Sequence, residues 1–137
     1  MDTNTPQTPE LVFASRDEFL TPTGRRYLGF TLPVSGRNVR IRSLFENEKE
    51  AYESKMLSHK GGLSLAALKE ARRRLVQITL VNPAGDLLLA ESDISKLSAL
   101  DGADIACCYE NAMTHCGFKQ EEIEGLLKNS GSVRADA

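Results

Sequence analysis

Between Leu28 and Arg42 apolar residues return at every second position, first as Leu28, Phe30 and Leu32 and then, after VSGR, as Val39 and Ile41. A period of two places these groups on one face of extended chain, and the intervening Ser35 and Gly36 suit a turn. The pattern predicts a β-hairpin at about 26–43 that stands apart from any larger sheet. The period then changes without an intervening Gly or Pro. Ser43 and Glu46 have the spacing at which a hydroxyl and a carboxylate satisfy each other's amides at a helix start. A helix is therefore expected from Ser43, with Phe45, Tyr52 and Met56 along one face and a stop at Gly61.

The next helical pattern is the most regular in the chain. Ser64 is a suitable cap, and Leu65, Leu68, Arg72, Leu75 and Ile78 form a stripe while Lys69, Glu70 and Arg73 face away, predicting a helix from Leu65 to about Val81. NPAGD reads as a turn, LLLA as a short extended piece, and Ser92 or Asp93 as the cap of a short helix. Asp101 caps a longer helix whose apolar face is Ile105, Cys108, Ala112 and Cys116 or Met113, ended by Gly117 in a left-handed conformation. Ser15 and Glu18 repeat the capping-box spacing near the start of the chain, ahead of Pro22. A last helix is expected at about Gln120 to Leu127. The resulting fold class is mainly α, a small helical domain carrying an N-terminal hairpin. Residues 1–10 read as a disordered arm, 11–128 as the domain and 129–137 as a flexible tail.

Composition narrows function more than fold. A chain of 137 residues, 41% hydrophobic and 26% charged, suits one domain, and a net charge of −2 points to neither nucleic acid nor an anionic membrane as partner. Charge is unevenly distributed: Met1 to Ser43 holds six Arg against four acids, and Gly85 to Ala137 ten acids against four basic residues. That polarity serves packing or head-to-tail association. Cys107, Cys108 and Cys116 are an odd number on one expected helix, a poor disulfide framework and a better fit to a reducing cytoplasm. The N-terminus lacks the charged and apolar regions of a secretion signal, and no apolar run approaches the ~20 residues of a membrane span.

No catalytic arrangement emerges. His59 and His115 are the only histidines. His115 with the three cysteines would draw zinc ligands from a single helix, whereas tetrahedral sites normally close from two elements. The same thiols lie in the middle and at the end of their helix, away from the N-terminal position that activates a nucleophile. Arg72, Arg73 and Arg74 are spread around the helix and cannot all meet one phosphate backbone. Arg40 and Arg42 project from one side of the hairpin, where Arg25 or Arg26 would join them, either as a plain solvated face or as a docking surface for an acidic partner. The chain is expected not to be an enzyme and to hold no metal or cofactor.

The order of segments carries a further indication. An extended VRIRSL, an acidic Tyr-containing helix, a KGG break, an ARRRLV helix and VNPAGDLLL ahead of ESDISKLSALD, within about Phe19 to Asn129, resemble the tail assembly chaperones of long-tailed (siphovirus-type) bacteriophages and prophages. Phe45 stands where that pattern would carry a capping Thr or Ser. The resemblance implies a mainly helical, self-associating, non-enzymatic protein of the host bacterial cytoplasm, absent from the mature virion. Its implied clients are the tape measure protein and, through a form extended by programmed frameshifting, the tail tube protein. Leu127 to Asn129 would be the slippage point, since their consecutive codons can contain a run of A. Arg40, Arg42, Phe45 and Tyr52 are the candidate partner-contacting residues. The alternative reading is a small phage-encoded nucleic-acid-binding or regulatory module, drawn from the Arg-rich hairpin and ARRR.

Overall fold

The computed structural model describes residues 11–55 and 65–118. The expectations for the arm at 1–10, for Met56, His59, Gly61 and Ser64, for the helix at 120–127 and for the tail fall outside those residues. Within them the chain forms α1 (Arg16–Leu20), β1 (Tyr27–Thr31), β2 (Asn38–Arg42), α2 (Glu46–Ser54), α3 (Leu65–Thr79), β3 (Leu80–Val81), a 3-10 helix (Glu91–Ala99) and α4 (Gly102–His115). The protein is a small helical domain with a hairpin near its N-terminus, as the patterning indicates.

β1 and β2 pair antiparallel with Leu28 opposite Ile41 and Phe30 opposite Val39, so the period-two residues share the face turned to the helices. Ile41 is fully buried there, while Leu28 at the open end stays partly exposed. The hairpin is not isolated: β3 pairs with the other edge of β2, Arg40 opposite Val81 and Ile41 opposite Leu80, giving a three-stranded sheet of order β1-β2-β3. The third strand follows α3 directly. Thr79 ends the helix with its hydroxyl donating to the Leu75 carbonyl at 2.7 Å, a local bond that competes with helical continuation. Two residues are too few for an alternation to show in sequence, so the helical reading ran on to Val81.

α3 packs against α4 and the 3-10 helix, and β2 contacts α4. Leu75, Val76 and Thr79 are almost entirely enclosed, whereas Arg72 is exposed and Ile78 only half-buried. The expected stripe is therefore rotated and widened at its C-terminal end. That end is enclosed by sheet, 3-10 helix and α4, so burial spreads round the helix instead of following one seam. Gln77, buried in this spread, donates to the Leu89 carbonyl at 3.0 Å.

Three helix ends follow their local signals. Ser15 and Glu18 close a capping box on α1. Asp101 accepts from the Ala103 amide at the start of α4. The 3-10 helix departs from its signal: its N-cap is Ala90, not Ser92 or Asp93, and Asp93 sits at the third helical position and accepts from the Ala90 amide. Gly117, at φ +76°, ends α4; the Phe118 amide donates to Met113 O and the Gly117 amide to Thr114 O. This paired closure turns the chain back so that Phe118 buries against α2. The start of α2 departs from expectation. Phe45 occupies the N-cap, and the Glu48 carboxylate accepts from its amide at 2.8 Å. Ser43 is drawn away because its hydroxyl accepts from the Arg26 amide at 2.8 Å, fastening β2 to the chain entering β1.

Candidate functional site

At the open end of the hairpin a compact charge cluster joins strand to helix. Arg25 donates two hydrogen bonds to Glu48, of 2.7 and 2.6 Å, and a third to the Ser43 carbonyl. Arg42 adds a longer ion pair to Glu48 at 3.6 Å and donates from Nε to the Ile78 carbonyl. The Arg25 hydrogen bonds hold the Glu48 carboxyl below its usual range, opposed by partial burial and assisted by the Phe45 amide. Burial lowers the Arg42 guanidinium, which Glu48 only partly offsets.

The four candidate contact residues have separate fates in this arrangement. Arg40 and Arg42 do share a sheet face, yet Arg40 donates to the Pro83 carbonyl and lies 4.2 Å above the Tyr27 ring, and Arg42 is folded into the cluster. The expected outward arginine surface is thus turned inward onto carbonyls, Tyr27 and Glu48. Phe45 remains partly exposed beneath the Arg25 guanidinium, 4.2 Å from its ring centre. Tyr52, 3% exposed, is a core residue: its hydroxyl donates to Ala71 O and its ring meets Phe118 edge-on at 5.5 Å. The structure brings Arg42, Phe45 and Glu48 together and separates Tyr52 from any surface.

The cysteines do not converge on a reactive centre. Burial pushes the Cys108 thiol up to about 11 and raises Cys116 as well, and the Cys116 thiol donates toward the Arg42 carbonyl. His115 contacts the Arg26 backbone carbonyl. Among the described residues no group of three or more His, Cys, Asp and Glu could hold a metal ion, and no helix is long and apolar enough to cross a membrane.

The surface feature with most capacity for binding lies at the other end of the hairpin. A groove of about 470 Å³ opens between the hairpin turn, the segment after β3 and the 3-10 helix, walled by Leu32, Val34, Val39, Leu88, Leu97 and Leu100. Val34, Leu88 and Leu100 remain about half exposed on its margins. One wall is fixed by Asp104, whose two carboxylate oxygens accept from the Val34 and Ser35 amides at 2.8 and 3.1 Å. Burial alone would raise this carboxyl, but those amides and the Ser35 hydroxyl outweigh it and hold it low. A rigid apolar concavity with a few polar groups at its edge is a normal form for a binding site. The sequence offers only the apolar run Leu87 to Leu89 as a sign of it, and that run does not distinguish core from groove.

A second apolar surface is uncovered among the described residues. Val12, Phe13 and Phe19 are 94%, 81% and 80% exposed, Leu11 and Leu20 are also open, and α1 buries none of its residues. Five large apolar side chains within ten residues exceed the scattered exposure normal for a surface. No protein-family model, curated protein or solved structure matches the chain.

Proposed function

We propose that this chain is a phage tail assembly chaperone, a non-catalytic holdase that covers apolar helical segments of a tape measure protein until tail tube subunits displace it. The segment order from VRIRSL to ESDISKLSALD supports the family, and the single structural observation that supports a holding role is the apolar groove walled by Leu88, Leu97 and Leu100. Such a groove suits the apolar face of an amphipathic helix, which would bring side chains at i, i+3, i+4 and i+7 into the concavity. Binding of this kind needs no ATP, because release follows when polymerising tube subunits compete for the client. Work in the host bacterial cytoplasm, absence from the mature virion and a frameshift-extended form that recruits the tube protein belong to the same proposal.

The test is coexpression with the tape measure protein that this reading predicts to be encoded beside the gene. The client should be soluble and co-purify with the wild-type chain, and Leu88→Asp with Leu100→Asp should abolish both effects while leaving the fold intact by circular dichroism. A client that stays insoluble with the wild-type chain, or is held equally by the double variant, would refute the groove as its site.

A further inference from the structure

The exposed arm and the apolar groove are complementary, and they sit at opposite ends of the hairpin. Phe19 and Leu20 lie beside Leu44 and Phe45 at the open end, whereas the groove is built on Leu32, Val34 and Val39 at the turn. β1, five residues long, separates them by about 16 Å at ~3.3 Å per residue. No arm residue lines the groove of its own chain. Among the described residues, one molecule therefore presents an apolar projection at one end and an apolar recess at the other, both unmatched. We infer that residues 11–20 of one copy dock in the Leu88–Leu97–Leu100 groove of a second copy.

Size favours this occupant. Large aromatic side chains bury roughly 150–250 Å² each, so Phe13 and Phe19 with Leu11, Val12 and Leu20 approach the roughly 800 Å² per partner of a standard specific interface. Because the two surfaces differ, the contact is heterologous: each copy uses its arm on one neighbour and its groove on another, which builds a chain of copies or, if the rotation closes, a ring. An apolar client helix and the arm then compete for one recess, so client binding shortens the assembly.

The association itself is independent of the client reading and is tested on the purified chain alone. Analytical ultracentrifugation should show concentration-dependent species above the 15.0 kDa monomer. An arm variant, Phe13→Asp with Phe19→Asp, and a groove variant, Leu88→Asp with Leu100→Asp, should each raise the dissociation constant at least tenfold; the arm buries nothing and the groove pair is half exposed, so circular dichroism should report an unchanged fold. Mixed in equal amounts, the two variants should form a 1:1 complex, since one retains its groove and the other its arm. A wild-type chain monomeric at hundreds of micromolar would overturn the inference, as would single variants that associate like wild type. Failure of the mixture to pair would do the same, pointing instead to a symmetric contact or to docking of the arm within its own chain.

Discussion

Arg25 and Glu48, 23 residues apart in sequence, are joined by two parallel hydrogen bonds of 2.7 and 2.6 Å that tie the entry to β1 onto the first turn of α2. Both side chains are largely but not fully covered, at 21% and 26% exposure, so the pair is screened less than a surface bridge yet not isolated from water. Glu48 also accepts from the Phe45 amide, and its loss would leave that amide and two guanidinium groups short of an acceptor. Glu48→Gln should lower unfolding stability by about 2 kcal/mol, read as a reduced urea midpoint with unchanged slope. An unchanged midpoint would mean that the cluster follows the fold instead of stabilising it.

The same carboxylate gives the protein a pH dependence of definite sign. Its folded pKa lies below the unfolded value, chiefly through the Arg25 hydrogen bonds, so the unfolded chain binds more protons between the two values. The contribution is therefore complete above the ordinary carboxylate range, above about pH 5, and disappears as pH falls through the lowered folded value. Urea midpoints across that acidic window should fall less steeply in Glu48→Gln than in wild type.

Tyr52 separates stability from binding. Tyr52→Phe removes only the hydroxyl that donates to Ala71 O and should cost about 1 kcal/mol, whereas Tyr52→Ala also empties the space against Phe118 and should cost about 4 kcal/mol. Tyr52 itself is only 3% exposed. Tyr52→Phe should therefore leave self-association and client capture unchanged, and altered association at equal foldedness would contradict its assignment to the core.

Thiol chemistry offers an independent view of the same packing. With its pKa pushed to about 11 by burial, Cys108 is ionised to about one part in a thousand at pH 8. Ellman's reagent should label Cys108 and Cys116 at least a hundredfold more slowly in the native protein than in urea, with modified residues assigned by mass spectrometry. Rapid native labelling of Cys108 would show that α4 opens from α3.

What was legible in the sequence was what neighbouring residues decide among themselves. Ser15 with Glu18, Asp101, Gly117 and the alternation of Val39 and Ile41 each act within a few residues, and each stands in the structure where it was read. What failed depended on distant chain. Ser43 has the chemistry of a helix cap, but Arg26 claims its hydroxyl from across the hairpin, leaving Phe45 at the N-cap with its amide donating to Glu48. Arg40 and Arg42 alternate as outward residues should, yet the carbonyls of Pro83 and Ile78 and the ring of Tyr27 turn them in. Leu80 and Val81 become a strand only because β2 offers an edge. The groove was the least legible feature, since its walls come from three separate segments and a leucine facing a recess reads no differently from one in the core.

The turn after α4 closes the helical core and provides a graded test. Gly117 holds φ +76°, a conformation that costs an L-residue roughly 1 kcal/mol, and among the described residues beyond its chain neighbours and its own helix backbone no atom lies within 4 Å of where a Cβ would sit. Backbone conformation alone is therefore at stake. Gly117→Ala should destabilise by about 1 kcal/mol, and Gly117→Asn by less, because Asn tolerates the left-handed region. The residue that this turn delivers has more to lose: Phe118 is buried against Tyr52 with the Lys49 ammonium 4.7 Å from its ring centre, so Phe118→Ala should cost about 3 kcal/mol. Thermal unfolding of the three variants should rank Asn above Ala at position 117 and place Phe118→Ala lowest. Equal losses for Ala and Asn would show that the left-handed turn is not what the glycine supplies, and a Phe118→Ala protein as stable as wild type would remove the turn's purpose.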